Sequence, residues 1–307
     1  MTKRRILLDC DPGIDDAIAI LLALAAAESV ALVAITTVAG NVPLALTERN
    51  ARRILTLAGR SEIPVAAGCA RPLMSASGPT AMVHGNDGLG GVPLPEPDFD
   101  PDPRHGVDLI VETALAGPAG ALTLCATGPL TNLAMALVKE PRLTGRLSEI
   151  VLMGGACFRP GNTTASAEFN FHVDPHAAQI VLSAGVPLTL FPLDVTMQVK
   201  VDEERLARID AVGTDVAATA AAMLRVYGSG DTALHDACVI AHLIEPGLFS
   251  GLPAHVEVVT APGPAYGQSI AHVTEKHLAG RAANALAMTE ADADGVFALL
   301  TERLARL

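Results

Sequence analysis

The sequence predicts an α/β protein with an open, mostly parallel (mixed) sheet and helices on both faces. Short apolar runs alternate with Ala-rich segments of helical periodicity, and this alternation is typical of parallel sheets built from βαβ units. The runs are apolar almost throughout, as expected of strands that are covered on both faces. No change in composition marks a linker, so we expect one domain over residues 1–307.

Six strands are predicted from runs of Leu and β-branched residues: RILLDC, ALVAITTVAG, ALTLCATG, EIVLMGG, PLTLFPLD and HVEVVT. Helical patterns occupy residues 16–28, 44–58, 107–116, 129–139, 175–184 and 203–226. The stretch from Gly68 to His105 is rich in Pro, Gly and Asp and is predicted to be irregular. A loop of that length inside a compact domain usually carries function.

Composition and charge exclude several classes of protein. Half of the residues are hydrophobic and 18% are charged, which is not a disordered composition. The net charge of −12 disfavours a nucleic-acid partner, because phosphate binding needs clustered Lys and Arg. The five cysteines are scattered and form no Cys-x-x-Cys pair, which indicates free thiols in a reducing compartment.

The beginning of the chain is basic and then apolar, like an export signal. Asp9 and Asp11 break the apolar stretch too early for that interpretation. The later run AIAILLALAAA is too short to span a bilayer. We therefore expect a cytoplasmic protein without a membrane partner.

Polar residues follow the predicted strands, where open α/β sheets bind their ligands. The first strand is followed by the acidic turn DCDPGIDD, the second by Asn41 and the third by Thr127. His235 and Asp236 stand at the head of a later apolar helix. These side chains are therefore expected to meet at one edge of the sheet.

The acidic turn places Asp11, Asp15 and Asp16 within six residues. A helix N-cap explains one of these carboxylates, because Asp is favoured at that position. It does not explain three, since like charges at close range repel. A bound cation turns the repulsion into attraction, and oxygen ligands suit Ca²⁺ or Mg²⁺. Asp236 is the best remote candidate ligand, although it too would serve as an N-cap.

The turn DCDPGIDDA resembles the signature of the inosine–uridine preferring nucleoside hydrolases. Further segments resemble that family in the same order along the chain: ITTVAGN, AAGCARPL, HGNDGLGG, ATGPLTNLA, VLMGG, GNTTASAEFNFHVDPHAA and HDACVIA. The resemblance reaches from the first strand to about residue 245. It implies a Rossmann-like nucleoside hydrolase fold and ribonucleoside hydrolysis.

The resemblance also implies a Ca²⁺ site at the end of the first strand. The ligands would be the carboxylates of Asp11, Asp16 and Asp236 and the backbone carbonyl of Thr127. Asp15 would bind the ribose, and Asp9 lies outside the main ligand set.

The loop 162–170 resembles the ribose clamp of the family. Asn162 and Glu168 would hold the 5′-hydroxyl, and Asn170 would hold the vicinal hydroxyls. Met153 would pack under the sugar, and Asn41 would lie near the attacking water. For Asn162 alone, a turn-forming side chain after Gly161 is an equally simple explanation.

The chemistry implied by the resemblance is cleavage of an N-glycosidic bond. Asp11 would act as the general base, and His235 would protonate the leaving base, with a pKa range suited to neutral pH. His84 and Tyr227 would contact the nucleobase. For Tyr227, core packing at a helix end explains the residue equally well.

The absence of Trp disfavours a purine enzyme that stacks the base between Trp rings. Phe158, Phe171, Tyr227 and His84 are the residues expected to line a base pocket instead. Uridine and cytidine are the expected substrates, with inosine as a further one. The segment between Tyr227 and His235 is shorter than in the inosine–uridine prototypes, and the resemblance further implies a homo-oligomer, a tetramer or a dimer.

Two other functions are compatible with parts of the sequence. Asp9-x-Asp11 after a first strand resembles a phosphatase of the haloacid dehalogenase type, but the residues that follow do not fit that class. A nucleoside- or ribose-binding protein would keep the metal and the clamp without turnover. Such a protein needs neither Asp11 as a base nor His235 as an acid.

Overall fold

A nine-stranded sheet forms the centre of the protein. The structure is a computed structural model that describes residues 3–74 and 82–307. The strands are β1 Arg4–Cys10, β2 Val30–Thr37, β3 Val65–Ala67, β4 Leu122–Ala126, β5 Leu147–Met153, β6 Leu188–Phe191, β7 Phe249–Val258, β8 Ser269–His272 and β9 Ala285–Ala291. Their order is β3-β2-β1-β4-β5-β6-β9-β7-β8. Pairing is parallel from β3 to β9, whereas β7 pairs antiparallel with β9 and β8. The predicted mostly parallel, mixed sheet is confirmed.

Helices connect the strands. They are α1 Ile14–Ala25, α2 Leu44–Leu57, α3 Gly106–Ala116, α4 Thr131–Lys139, α5 Phe169–Val173, α6 Pro175–Leu182, α7 Leu193–Thr196, α8 Glu203–Asp210, α9 Asp215–Tyr227, α10 Ala237–Ile244, α11 Glu275–Leu278 and α12 Ala293–Leu304.

The prediction of one helix over residues 203–226 is wrong, because α8 and α9 are separate. Between them Gly213 has a φ of 77°, a backbone conformation that favours glycine. Thr214 then caps α9 by accepting a hydrogen bond from the Ala217 N–H.

Helices cover both faces of the sheet. Alternate residues of β1 point to opposite faces, and they enter two separate apolar clusters. Ile6 and Leu8 pack in the cluster that contains the apolar residues of α1, α9 and α10. Leu7 packs in the cluster that contains those of α3, α4 and α6. The near-continuous apolar pattern of the strand follows from this double coverage.

The strand order reverses beside β1, which positions the functional residues. The chain moves outward from β1 to β2 and β3, and then returns to the other side of β1 as β4. The connections after β1 and β4 therefore diverge and leave a crevice at their carboxyl ends. Asp11 follows β1 at this point, and Thr127 follows β4.

The stretch from Gly68 to His105 leads from β3 to α3. It is irregular as predicted over its described part, apart from a short 3₁₀ helix at Met82–His84; residues 75–81 lie outside the described residues. All five cysteines are free thiols. Within residues 3–74 and 82–307, no helix combines the length and apolarity needed to cross a membrane.

The core near the end of β6 gives a test of the fold. The Phe191 ring is fully buried and packs edge-on against Phe249 with 5.1 Å between ring centroids. Phe191→Ala leaves a cavity and is expected to lower the free energy of unfolding by about 3–5 kcal/mol. Phe158→Ala is the matched control, because Phe158 is 51% exposed, and a change within about 0.5 kcal/mol is expected there. Equal losses in the two variants, measured by chemical denaturation, would contradict the packing described.

Candidate active site

A cavity of about 520 Å³ opens at the carboxyl ends of the strands, beside the crevice between β1 and β4. Of the residues predicted to contact the metal, the water, the ribose or the base, all except Asp11, Asp16, Phe158 and Phe171 line it. Those two carboxylates lie behind the lining and are almost completely buried. The fold thus gathers residues from the whole length of the chain around one space, while their individual roles stay predictions.

Three carboxylates meet at one point of the cavity wall. Oxygen atoms of Asp15, Asp16 and Asp236 lie within 4.8 Å of one another. Asp16 also serves the helix, since its Oδ2 accepts a hydrogen bond of 3.0 Å from the Gly13 N–H at the start of α1. Its Oδ1 accepts a hydrogen bond of 2.7 Å from the Thr127 hydroxyl. Asp236 occupies the N-cap position of α10 but makes no capping hydrogen bond, so a cap does not account for it.

Asp11 lies beside this group of three carboxylates. Its Oδ2 accepts a hydrogen bond of 2.7 Å from the Asn41 N–H, and its buried Oδ1 has no hydrogen-bond partner. Two glycines let the backbone come this close: a methyl group on Gly40 would lie 2.0 Å from Oδ2, and one on Gly128 would lie 2.5 Å from Oδ1. The side chain is thus enclosed on both sides.

Burial and like charge act together on these carboxyl groups. Burial, reinforced by the neighbouring carboxylates, raises the pKa of Asp11 and Asp236 well above the usual range. The same causes raise the pKa of Asp16 to about 7. Of the described residues that line the cavity, none is Lys or Arg. No Lys or Arg of this lining therefore neutralises the cluster.

The donor set fits a hard divalent cation. It offers carboxylate oxygens without Cys or His, and Asp11 and Asp15 each carry a buried oxygen without a hydrogen-bond partner. The resemblance implied Asp11, Asp16 and Asp236 as carboxylate ligands. The closest group in the structure contains Asp15 in place of Asp11, so Asp15 stands near both the predicted metal and the predicted sugar.

Asp9 stands behind the cluster and ties three elements together. Its Oδ1 accepts hydrogen bonds from the Thr36 hydroxyl at 2.5 Å and from the Asn132 side-chain amide at 2.8 Å. Thr36 belongs to β2 and Asn132 to α4. Burial raises the pKa of Asp9 to about 7, although both hydrogen bonds oppose the shift.

One wall of the cavity is polar and firmly held. Glu168 caps α5 and accepts hydrogen bonds from the N–H groups of Gly155, Asn170 and Phe171 at 2.8–3.1 Å. Asn170 donates from Nδ2 to the Thr127 carbonyl at 2.8 Å and to the Met153 carbonyl at 3.3 Å. Its Oδ1 remains to accept a hydrogen bond from a ligand.

Asn162 closes the loop that leads into this wall. Its Oδ1 accepts a hydrogen bond of 3.0 Å from the Phe169 N–H, as the turn-forming interpretation requires. The same side chain lines the cavity, so its amide N–H groups are placed to face a ligand.

The opposite wall is formed by a stacked pair of rings. His84 and Tyr227 lie 5.4 Å apart between centroids, with 25° between the ring planes. The Ile14 N–H donates to Nδ1 of His84 at 3.0 Å, and burial lowers the pKa of His84. The ring is therefore neutral with its proton on Nε2. The Tyr227 hydroxyl donates to Asp15 Oδ2 at 3.2 Å, which links this wall to the acidic cluster.

His235 is held at both ring nitrogens by residues that the sequence did not single out. The Thr196 hydroxyl lies 2.7 Å from Nδ1, and Asp231 Oδ2 lies 3.1 Å from Nε2. Burial lowers the pKa of His235, but the hydrogen bond and charge of Asp231 outweigh it, so the pKa is raised. The position of Asp231, four residues before His235, could have indicated this contact from the sequence. No neighbouring residue in the sequence indicated that Thr196 contacts His235.

The expectation that Phe158 and Phe171 line a base pocket is wrong. Phe158 is half exposed, and Phe171 is fully buried against Gly154. Phe169 lines the cavity instead. In the helix α5 the residues Phe169 and Phe171 point in different directions, and the short segment gave no periodicity from which to choose between them.

The fold and the site together define an α/β protein with a buried acidic cluster, at its strand ends, that could hold a metal ion. The family model described as inosine-uridine preferring nucleoside hydrolase matches residues 6–298. The chain belongs to this family, as its motifs predicted.

Relatives with different named preferences resemble the chain over nearly its full length. The pyrimidine-specific ribonucleoside hydrolase RihA of Shewanella woodyi is 42% identical and covers 98% of both chains. RihA of Escherichia coli K12 is also 42% identical, over 97% of both chains. A solved structure of a purine-preferring ribonucleoside hydrolase from Gardnerella vaginalis superimposes with a TM-score of 0.90 at 30% identity, over 98% of both chains.

The acidic cluster makes stability depend on metal and pH together. A carboxyl group whose pKa is raised in the folded state binds protons more tightly there than in the unfolded chain. Without metal, the contribution of these carboxyl groups to stability should therefore be fully present below the unfolded value of 3.8 and be lost as pH rises through about 7, the value for Asp16. We expect Ca²⁺ to raise the melting temperature more at about pH 8 than at about pH 5, because cation and protons compete for the same oxygens.

Thermal denaturation with Ca²⁺ and with a chelator measures this difference. Asp16→Asn should abolish the gain from Ca²⁺, and the exposed Asp294→Asn should keep it. A gain of the same size at both pH values would contradict the linkage.

Proposed function

We propose that this chain hydrolyses the N-glycosidic bond of ribonucleosides to ribose and free nucleobase, with uridine and cytidine preferred and inosine also accepted. The supporting observation is the composition of the cavity walls. An acidic cluster, a polar wall and a wall of stacked rings face one space of about 520 Å³, which accommodates a sugar and a base side by side.

Ca²⁺ is the proposed cation, held by the carboxylates of Asp11, Asp16 and Asp236 and by the Thr127 carbonyl. The carbonyl accepts one hydrogen bond from Asn170 and keeps a second lone pair. A bound divalent cation offsets the repulsion of the carboxylates, keeps them ionised and lowers the pKa of a coordinated water.

The polar wall is the proposed ribose site. Asn170 Oδ1 and Asp15 accept hydrogen bonds from the vicinal hydroxyls, and Asn162 and Glu168 bind the 5′-hydroxyl. Met153 packs under the sugar, and Asn41 lies next to the water. Most of these side chains are already fixed by hydrogen bonds to the backbone, so little conformational entropy is lost on binding. Asp11 is the proposed base, because its Oδ1 has no partner and is free to take a proton from the attacking water.

The wall with the stacked rings is the proposed base site. His235 donates a proton to the leaving base as the bond to the sugar breaks, so that the base departs neutral. His84 offers its Nε2 proton to a carbonyl oxygen of the base, and Tyr227 packs beside it. A pyrimidine carries such a carbonyl next to the glycosidic nitrogen. The 42% identity to the two RihA enzymes supports the same preference.

The homo-oligomeric state, as a dimer or tetramer, and the cytoplasmic location are proposed on the family resemblance alone.

The direct test is the release of free ribose from uridine, cytidine, inosine, adenosine and thymidine, with and without removal of metal. We expect metal-dependent release from the ribonucleosides, fastest from the two pyrimidines. Asp11→Asn should lower kcat by about 100-fold or more with little change in folding, since it removes the base.

Other outcomes point to other functions. Tight binding of uridine without release of ribose, in the presence of Ca²⁺, would support a nucleoside-binding protein. Inosine turned over faster than both pyrimidines would overturn the proposed preference and leave the proposed reaction in place.

The pH dependence tests the part played by His235. Asp231 helps to hold the pKa of His235 above its usual value. A reaction that needs the protonated ring loses rate as pH rises through that pKa. In Asp231→Asn the alkaline limb of kcat/KM for uridine should therefore move to lower pH. An unshifted limb, measured over the near-neutral range, would rule out His235 as the group responsible.

A further inference from the structure

The His235 ring is held between a buried residue and one that lines the cavity. Thr196 is fully buried and lies outside the cavity lining, whereas Asp231 lines it. The Thr196 hydroxyl contacts Nδ1, and Asp231 contacts Nε2. Nδ1 therefore faces the protein interior and Nε2 faces the cavity. A leaving base can receive a proton only from Nε2.

The hydroxyl can hold the ring both before and after the proton is transferred. A protonated imidazole has an N–H on each nitrogen, so Nδ1–H donates to the Thr196 hydroxyl oxygen while Nε2 carries the proton for the base. When Nε2 has given up that proton, the neutral ring keeps its proton on Nδ1 and keeps the same hydrogen bond.

Thr196 stands on a rigid support. It ends α7, the short helix that follows β6. The carboxylate of Asp194 in the same helix accepts hydrogen bonds from the N–H groups of Cys157 and Phe158 at 2.7 and 2.8 Å. These bonds fix α7 to the segment after β5. A side chain held in this way sets the plane of the ring it contacts.

We propose that Thr196 is a positioning residue for the leaving-group step: its hydroxyl accepts a hydrogen bond from Nδ1–H and so keeps Nε2, with the transferable proton, facing the nucleobase. The inference rests on the proposed function, in which the bond between sugar and base breaks, its electron pair leaves with the base, and the base takes the proton from Nε2 of the protonated ring. Water supplies the hydroxyl group of the released ribose and gives its remaining proton to Asp11, from which a proton returns through solvent to the ring.

Two substrates separate this role from a general structural one. The uracil of uridine is a poor leaving group as an anion and needs a proton. The p-nitrophenolate of p-nitrophenyl β-D-ribofuranoside is a stable anion that departs without one, while the same ribose occupies the sugar site. A loss of proton delivery therefore slows uridine hydrolysis and leaves the nitrophenyl substrate almost unaffected.

The test compares Thr196→Val, which removes the hydroxyl and keeps the shape, with Thr196→Ser, which keeps the hydroxyl. We expect Thr196→Val to lower kcat for uridine by about 10-fold or more, with KM little changed, and to keep the nitrophenyl rate within about 2-fold. Thr196→Ser should restore most of the uridine rate. Thr123→Val is the matched control, since Thr123 is a buried threonine of β4 whose hydroxyl contacts Ser148.

Each other outcome decides the question. Equal losses on the two substrates, or no loss on uridine, would overturn the proposal. If Thr196→Val does not fold, Thr196→Ala takes its place with the same criteria. If the wild type does not accept the nitrophenyl substrate, two results with uridine decide whether Thr196 positions His235. These are a fall in kcat with an unchanged KM in Thr196→Val, and recovery of the rate in Thr196→Ser. A wild type that releases no ribose from any substrate would instead refute the proposed function.

Discussion

The repulsion among buried carboxylates beside β1 is the constraint on which the rest of the site depends. Asp11, Asp16 and Asp236 are each at least 97% buried, because their exposures are 1%, 0% and 3%. Burial of like charges is costly unless a cation or protons compensate it. The surroundings are arranged for the cation: glycines admit Asp11, the Thr127 hydroxyl and the Gly13 N–H hold Asp16, and Asp236 is left without a capping bond. The reversal of strand order beside β1 is what brings these groups to one place.

The residues around the cavity also hold the fold together. Glu168 caps a helix, Asn170 joins two strand ends, and Tyr227 connects α9 to Asp15. Such side chains are fixed before a ligand arrives, which favours a defined geometry for the sugar. It also explains why structural interpretations of single residues, such as a cap or a turn, were as good as functional ones: for Asn162 and Asp16 the structural bonds are present and the side chain still reaches the site.

The features of the fold and the site that the sequence predicted are those that depend on residues close together in the chain. The alternation of elements and the polar residues after each strand follow from short-range patterns, and the acidic turn from adjacent residues. Thr196 was missed because its contact with His235 spans 39 positions and depends on the path of α7. The C-terminal strands were missed for different reasons: β8 has only four residues, and β9 consists mainly of small and polar residues, which carry little signal. The break at Gly213 was readable, since Gly followed by a capping Thr ends one helix and begins another.

The metal content of the purified protein after dialysis into metal-free buffer, compared with its rate of ribose release from uridine, decides whether the buried carboxylates hold a cation that the reaction needs. We expect a stoichiometric amount of calcium that is lost in Asp16→Asn together with activity, while the folded state persists. Full ribose release by protein that contains no divalent metal would contradict this expectation.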